Sequence, residues 1–79
     1  MDKYPMGSKM GDALDRFWNT TGGEYRRSNP EHPWQVIHEH CNKILYREHR
    51  AYMAPSDAKF VYITFEAEQD KTAFLLKWI

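Results

Sequence analysis

Between Val36 and His49 the chain reads VIHEHCNKILYREH, fourteen residues that hold three of its four histidines and its single cysteine. Imidazole and thiolate are zinc ligands, and together they form a nucleophile and its base, so a metal centre and a thiol catalyst are the chemistries to weigh. Helical spacing argues against both. His38 and His40 point about 200° apart around one helix. His38 and His49 lie roughly 16 Å apart along its axis, against zinc–nitrogen bonds of about 2.1 Å. His38 and Cys41 remain as a pair of ligands, where a closed zinc site takes four. A nucleophilic thiol needs an accessible, electropositive setting, and Cys41 falls at the centre of an apolar stripe. No glycine-rich phosphate loop, Gly-x-Ser-x-Gly elbow or zinc-protease motif occurs. Glu66, Glu68 and Asp70 crowd together, but at a helix start, where acids complement the helix dipole. The expectation is a non-catalytic protein with no cofactor and no metal.

The helix that must carry these residues opens at Asn29-Pro30 with Pro33 close behind, a side-chain cap followed by prolines in the first turn. Steps of about 100° from Trp34 place Ile37, Cys41, Ile44, Leu45 and Tyr52 on one stripe. His40, Lys43, Arg47 and Arg50 fall on the opposite face, with Arg26 and Arg27 just upstream. Residues 25–53 hold five Lys/Arg against three Glu, while both flanking segments are net acidic. Such a face can lie on phosphates or simply be solvated.

Upstream, Pro5, Gly7 and Ser8 make residues 1–9 a flexible arm ahead of a single domain over 10–79. Met10, Ala13, Leu14, Phe17 and Trp18 recur at helical spacing, predicting a helix from Lys9 to about Asn19 that ends at Thr20-Thr21-Gly22-Gly23. Phe17 and Trp18 serve there either as packing residues or as an exposed docking edge. Downstream, KFVYITFE alternates strictly and is rich in β-branched and aromatic residues, a strand. EAEQDKTAFLLKWI follows as a terminal helix. Ala54-Pro55-Ser56-Asp57 is turn chemistry. It predicts that the long helix ends near Arg47 or Glu48 and that residues 49–53 and 59–66 form a hairpin. Alternatively the helix runs to Met53 and the lone strand pairs between subunits. EYRRS at 24–28 is a weaker candidate for a third strand.

These elements describe an α+β domain: an N-terminal helix, a long amphipathic helix, a β-hairpin and a C-terminal helix. The 79 residues carry zero net charge, 42% apolar and 15% aromatic side chains, enough for a core but no field to gather a polyanion. No apolar run approaches the roughly 18 residues of a membrane span. MDKYPMGSKM has no apolar leader core, and a lone cysteine suits a reducing cytoplasm. A chain this short buries only about 60% of its unfolded surface, so a homo-oligomer is expected.

Helix, hairpin and helix, with a strand allowed ahead of them, resembles a ferredoxin-like half-sandwich. Within it AKFVYITF resembles the longer ribonucleoprotein motif of RNA-recognition-motif domains. Phe60 and Tyr62 match that family's base-stacking aromatics, and Phe65 its closing aromatic. Lys59 stands where the family has glycine, Ala58 where it has Lys or Arg, and no fourth strand follows the last helix. Tyr25 would have to supply the aromatic of the first strand. Separately, VYITFEAEQDKTAFLLKW is similar to the tail of small proteins encoded by tailed bacteriophages. That resemblance implies an accessory protein that binds and modulates a host or phage protein in an infected bacterium. The function expected first is therefore binding to a protein partner through Phe60, Tyr62, Lys43, Arg47, Arg50, Phe17 and Trp18. The alternative is a single-stranded nucleic-acid module in which Phe60 and Tyr62 stack on bases and Lys43, Arg47 and Arg50 meet phosphates.

Overall fold

Ser8 starts the first helix, its Oγ accepting from the Gly11 amide at 3.1 Å in the computed structural model, which describes all residues from 1 to 79. Helix α1 spans Lys9–Phe17. It does not stop at the threonines and glycines. The backbone widens into a π turn over Trp18–Gly22 and resumes as α2, Gly23–Ser28. Packing overrides local propensity here. Gly22 lies where this helix crosses the next one, and a Cβ on it would stand 3.3 Å from Ile37 Cγ2 and 3.4 Å from Cys41 Sγ. The glycine is a close-approach residue and not a terminator. EYRRS is consequently helical and not a third strand. Asn29 ends α2, its side-chain amide donating to the Tyr25 carbonyl at 3.1 Å.

Helix α3 covers Trp34–His49, slightly beyond the expected end. It is closed by Arg50 in the left-handed region, φ 50° and ψ 44°, whose amide donates to the Tyr46 carbonyl. The hairpin follows as expected. Its two strands are Ala51–Ala54 and Phe60–Phe65, and the last helix is Glu68–Trp78. The third strand is Asp2–Pro5, inside the segment that the sequence reads as a flexible arm. In chain order the strands are β1 (Asp2–Pro5), β2 (Ala51–Ala54) and β3 (Phe60–Phe65), and the last helix is α4.

The sheet order is β1-β3-β2, with both outer strands antiparallel to β3. β1 and β2 therefore run parallel with β3 between them, a split β-α-β unit whose crossover is the helical layer. This is the α+β, partly ferredoxin-like arrangement expected from the sequence. β3 finds both neighbours within its own chain, so no pairing between subunits is needed to satisfy its backbone. Gly11 makes the β1–α1 corner, since a Cβ there would overlap the carbonyls of Pro5 and Met6.

The helices share one face of the sheet. Ala51, Met53, Val61 and Ile63 point inward and meet Leu14 and Phe17 of α1, Ile37 and Leu45 of α3, and Phe74 of α4. Phe17 is fully buried, with its ring edge-on to Phe74 at 6.1 Å and to Trp78 at 5.3 Å. That corrects its assignment to an exposed docking edge. No helix is long and apolar enough to cross a membrane.

Candidate binding surfaces

Strand alternation turns Phe60, Tyr62 and Thr64 of β3 away from the helices. The register sets Lys3 and Pro5 of β1 on one side of them and Tyr52 and Ala54 of β2 on the other. No helix covers this outer face. Tyr52 is 53% exposed, and Lys3 Nζ sits 4.6 Å from the centre of the Phe60 ring. Asp57 organises one end. One carboxylate oxygen accepts the Lys59 and Phe60 amides at 2.9 and 2.8 Å, and the other accepts the Tyr62 hydroxyl. The Tyr62 bond first, then the two amides, hold the Asp57 carboxyl below its usual range. The same bond raises the Tyr62 hydroxyl above its own. Tyr62 is thus a fixed aromatic on an open surface.

The expected binding residues do not form one patch. Phe60 and Tyr62 are together on the outer face. Lys43 and Arg47 are exposed on α3, across the β2 edge, with Arg50 at its cap. Acids interleave with these cations. Arg47 lies 3.8 Å from Glu48, which also binds Lys77 at 3.0 Å, and that hydrogen bond holds the Glu48 carboxyl down. Arg50 rests over the Tyr46 ring at 5.6 Å, and the Tyr46 hydroxyl donates to Glu66 at 3.0 Å. Trp18 is half-buried and faces α3.

Asn42, which the sequence reading passed over, closes the β2 edge. Ladder alternation turns the amide and carbonyl of Met53 away from β3. The Asn42 side chain meets both, donating to the Met53 carbonyl at 2.9 Å and accepting its amide at 2.9 Å. On the opposite edge β1 is short and carries Lys3 and Pro5, features that discourage strand addition. With both edges blunted, the outer face is the open surface of the sheet. Between Asn42, Lys43 and Tyr46 of α3 and Tyr52 of β2 runs a shallow groove of about 670 Å³.

The histidine and cysteine cluster is dispersed by the helix. Cys41 is fully buried, and burial pushes its thiol up to about 11, far from a reactive thiolate. Nowhere do three or more His, Cys, Asp or Glu side chains gather as a metal site would need. His40 stacks on Tyr25 at 4.1 Å, and the Tyr25 hydroxyl pairs with His32 Nδ1 at 2.8 Å. His49, the last residue of α3, faces the core. It is buried edge-on against Phe74 at 5.2 Å, with neither ring nitrogen hydrogen-bonded. Burial first, then Lys77, depresses its pKa, while Glu48 and Asp70 oppose the shift.

His38 belongs to a second concavity. Its ring stands 5.9 Å from that of Trp18 and 6.0 Å from that of Trp34, and its Nε2 is buried without a partner. Burial lowers its pKa, and the Ala54 carbonyl offsets part of that. These rings wall a cleft of about 470 Å³ between α1, α3 and the inner side of the sheet. Leu14, Met53 and Val61 lie deep in it, and the exposed Asp15, Asn19 and Ser56 line its mouth. No protein-family model, curated protein or solved structure matches this chain.

Proposed function

We propose that this chain is a small non-catalytic accessory protein that binds another protein through the outer face of its sheet. One observation carries the reading: Phe60, Tyr62 and Tyr52 stand on the side of the sheet that no helix covers. Aromatic side chains are enriched in interface cores and dominate binding energy there. The similarity of Val61–Trp78 to tailed-phage accessory proteins supports a host or phage protein as the partner, met in the cytoplasm of an infected bacterium. A second reading, single-stranded nucleic acid, draws on the match of Phe60 and Tyr62 to base-stacking positions. The charges favour protein. Asp57 sits against Tyr62, Glu48 lies beside Arg47, and the net charge is zero.

The immobilised chain and its Tyr62→Ala variant, passed over bacterial lysate with and without nuclease, separate these readings. The expected result is a protein retained by the wild type, lost with the variant and indifferent to nuclease. Sedimentation of the free chain in parallel tests whether a second copy occupies the same face. Sub-micromolar, salt-sensitive binding of short single strands, weakened by Tyr62→Ala, would overturn the protein reading.

A further inference from the structure

We propose that the cleft between α1, α3 and the inner side of the sheet binds an organic monocation, an ammonium or guanidinium group on an apolar or aromatic stem. The site is separate from the outer face, because β-strand alternation sends Val61 and Met53 into the cleft while Phe60 and Tyr62 point the other way. Its volume of about 470 Å³ is that of a small-ligand pocket.

Two features fix the ligand class. First, the indoles of Trp18 and Trp34 flank one imidazole, and Trp34 is 52% exposed although indole gains most from burial. The negative face of an indole attracts a cation within about 6 Å. Secondly, Asp15 is the only side chain of the lining with a formal charge. It accepts from the Asn19 amide at 3.3 Å, and no Lys or Arg pairs with it. An ammonium or guanidinium supplies a charge for Asp15 and a cation for the indoles. An anion would face the Asp15 carboxylate. A neutral hydrocarbon would leave Asp15 without a counter-charge.

The same chemistry reaches the cleft from two sources, a free amine or the Lys or Arg side chain of a polypeptide. Titration of the whole chain with phenethylamine, 2-phenylethanol and 3-phenylpropionate tests the class, read by indole fluorescence and by the His38 ring resonances. Phenethylamine is expected to saturate with a dissociation constant near 1 mM, at least about tenfold tighter than the alcohol, with the carboxylate weaker still. Asp15→Asn should erase the preference for amine over alcohol without erasing binding. Trp34→Ala should weaken both probes. Asp15 and Trp34 are exposed, so both variants keep the fold, which circular dichroism checks. N-acetyl-arginine amide distinguishes the sources: tighter than phenethylamine points to a partner's side chain, weaker to a free amine. Equal affinity for amine and alcohol, survival of the preference in Asp15→Asn, or no saturation by about 10 mM would each overturn the proposal.

Discussion

Replacing Asn42 by leucine tests what closes the sheet. The substitution keeps the branched side-chain shape, with bulkier methyl ends, but removes both groups that bind Met53, each at 2.9 Å. The Met53 amide and carbonyl are then left with no partner at a buried position. Each orphaned backbone group costs about 1–3 kcal/mol. The added apolar side chain recovers about 1–2 kcal/mol of this. Asn42 also lines the open groove beside Tyr46 and Tyr52, so water reaches part of the site. The expected net loss is about 2–3 kcal/mol. For a domain of this size, total stability is on the order of 4–12 kcal/mol. The variant should therefore fold, with a melting temperature lower by about 10–20 °C.

Urea denaturation measures the loss, and light scattering measures its second consequence. An uncapped β2 edge is a template for another strand, so association should rise in Asn42→Leu. Asn42→Asp supplies the internal control. A carboxylate still accepts the Met53 amide but cannot donate to the Met53 carbonyl, and burial beside that oxygen raises its pKa. Protonation restores the missing donor, so the deficit relative to wild type should shrink as pH falls from 7 to 4. A loss below about 0.5 kcal/mol in Asn42→Leu, with no new association, would refute the edge-closing role.

Three further outcomes follow from single residues. His38 and His49 both have depressed pKa values in the folded chain. The unfolded chain then binds more protons below about pH 6.5, so stability is full above that pH and falls beneath it. The slope is at most about 1.4 kcal/mol per pH unit for each ring. His49→Leu should flatten the urea midpoint between pH 7 and 5, and a flat wild-type profile would contradict the burial of both rings. Arg50 holds a left-handed conformation that glycine adopts without strain, so Arg50→Gly should raise stability by about 0.5–1 kcal/mol in thermal melts. Gly11→Ala should displace β1 from the sheet, since its Cβ overlaps the Pro5 and Met6 carbonyls. Loss of amide protection at Val61 and Ile63 would report it.

Local pattern made some elements readable and left others hidden. β3 and α4 were plain because six alternating residues and an acidic first turn are signals that tertiary context rarely overrides. β1 was hidden because DKYP has almost no strand propensity. It is a strand because β3 has a second edge to satisfy, and that is a long-range fact. Gly22 looked like a stop signal, yet it serves a helix crossing visible only once Ile37 and Cys41 are in place. Phe17 and Trp18 differ by one helical step, about 100°, which sends one into the core and the other to the cleft wall. Periodicity alone could not rank them. Helical stepping puts Tyr52 on the stripe that starts at Trp34, but Trp34 opens α3 and Tyr52 belongs to a strand, so both are exposed. Asn42 did leave a signal. It stands four residues after His38 and three before Leu45, a polar side chain on the inward face, and such a residue needs partners.

The size of the outer face limits how a partner can use it. A buried aromatic side chain covers about 150–250 Å², and Phe60, Tyr62 and Tyr52 are already partly covered, so together they offer about 300–450 Å². A stable interface takes roughly 800 Å² from each partner. The contact must therefore extend beyond the sheet, over the β1 edge or over the β2 edge. The β1 edge presents Lys3 and Pro5 and then the chain turns away. The β2 edge leads through Tyr52 into the groove that holds Lys43 and Tyr46. Tyr52 belongs to both surfaces, so the continuous aromatic path runs from β3 over β2 to α3. A partner that follows it should lose affinity in Tyr46→Ala as well as in Tyr62→Ala, although Tyr46 lies outside the sheet. Mapping the complex by chemical-shift change should mark β3, β2 and the 42–46 stretch of α3. Changes confined to β1 and β3 would place the partner on the other edge and remove Lys43 and Tyr46 from the interface.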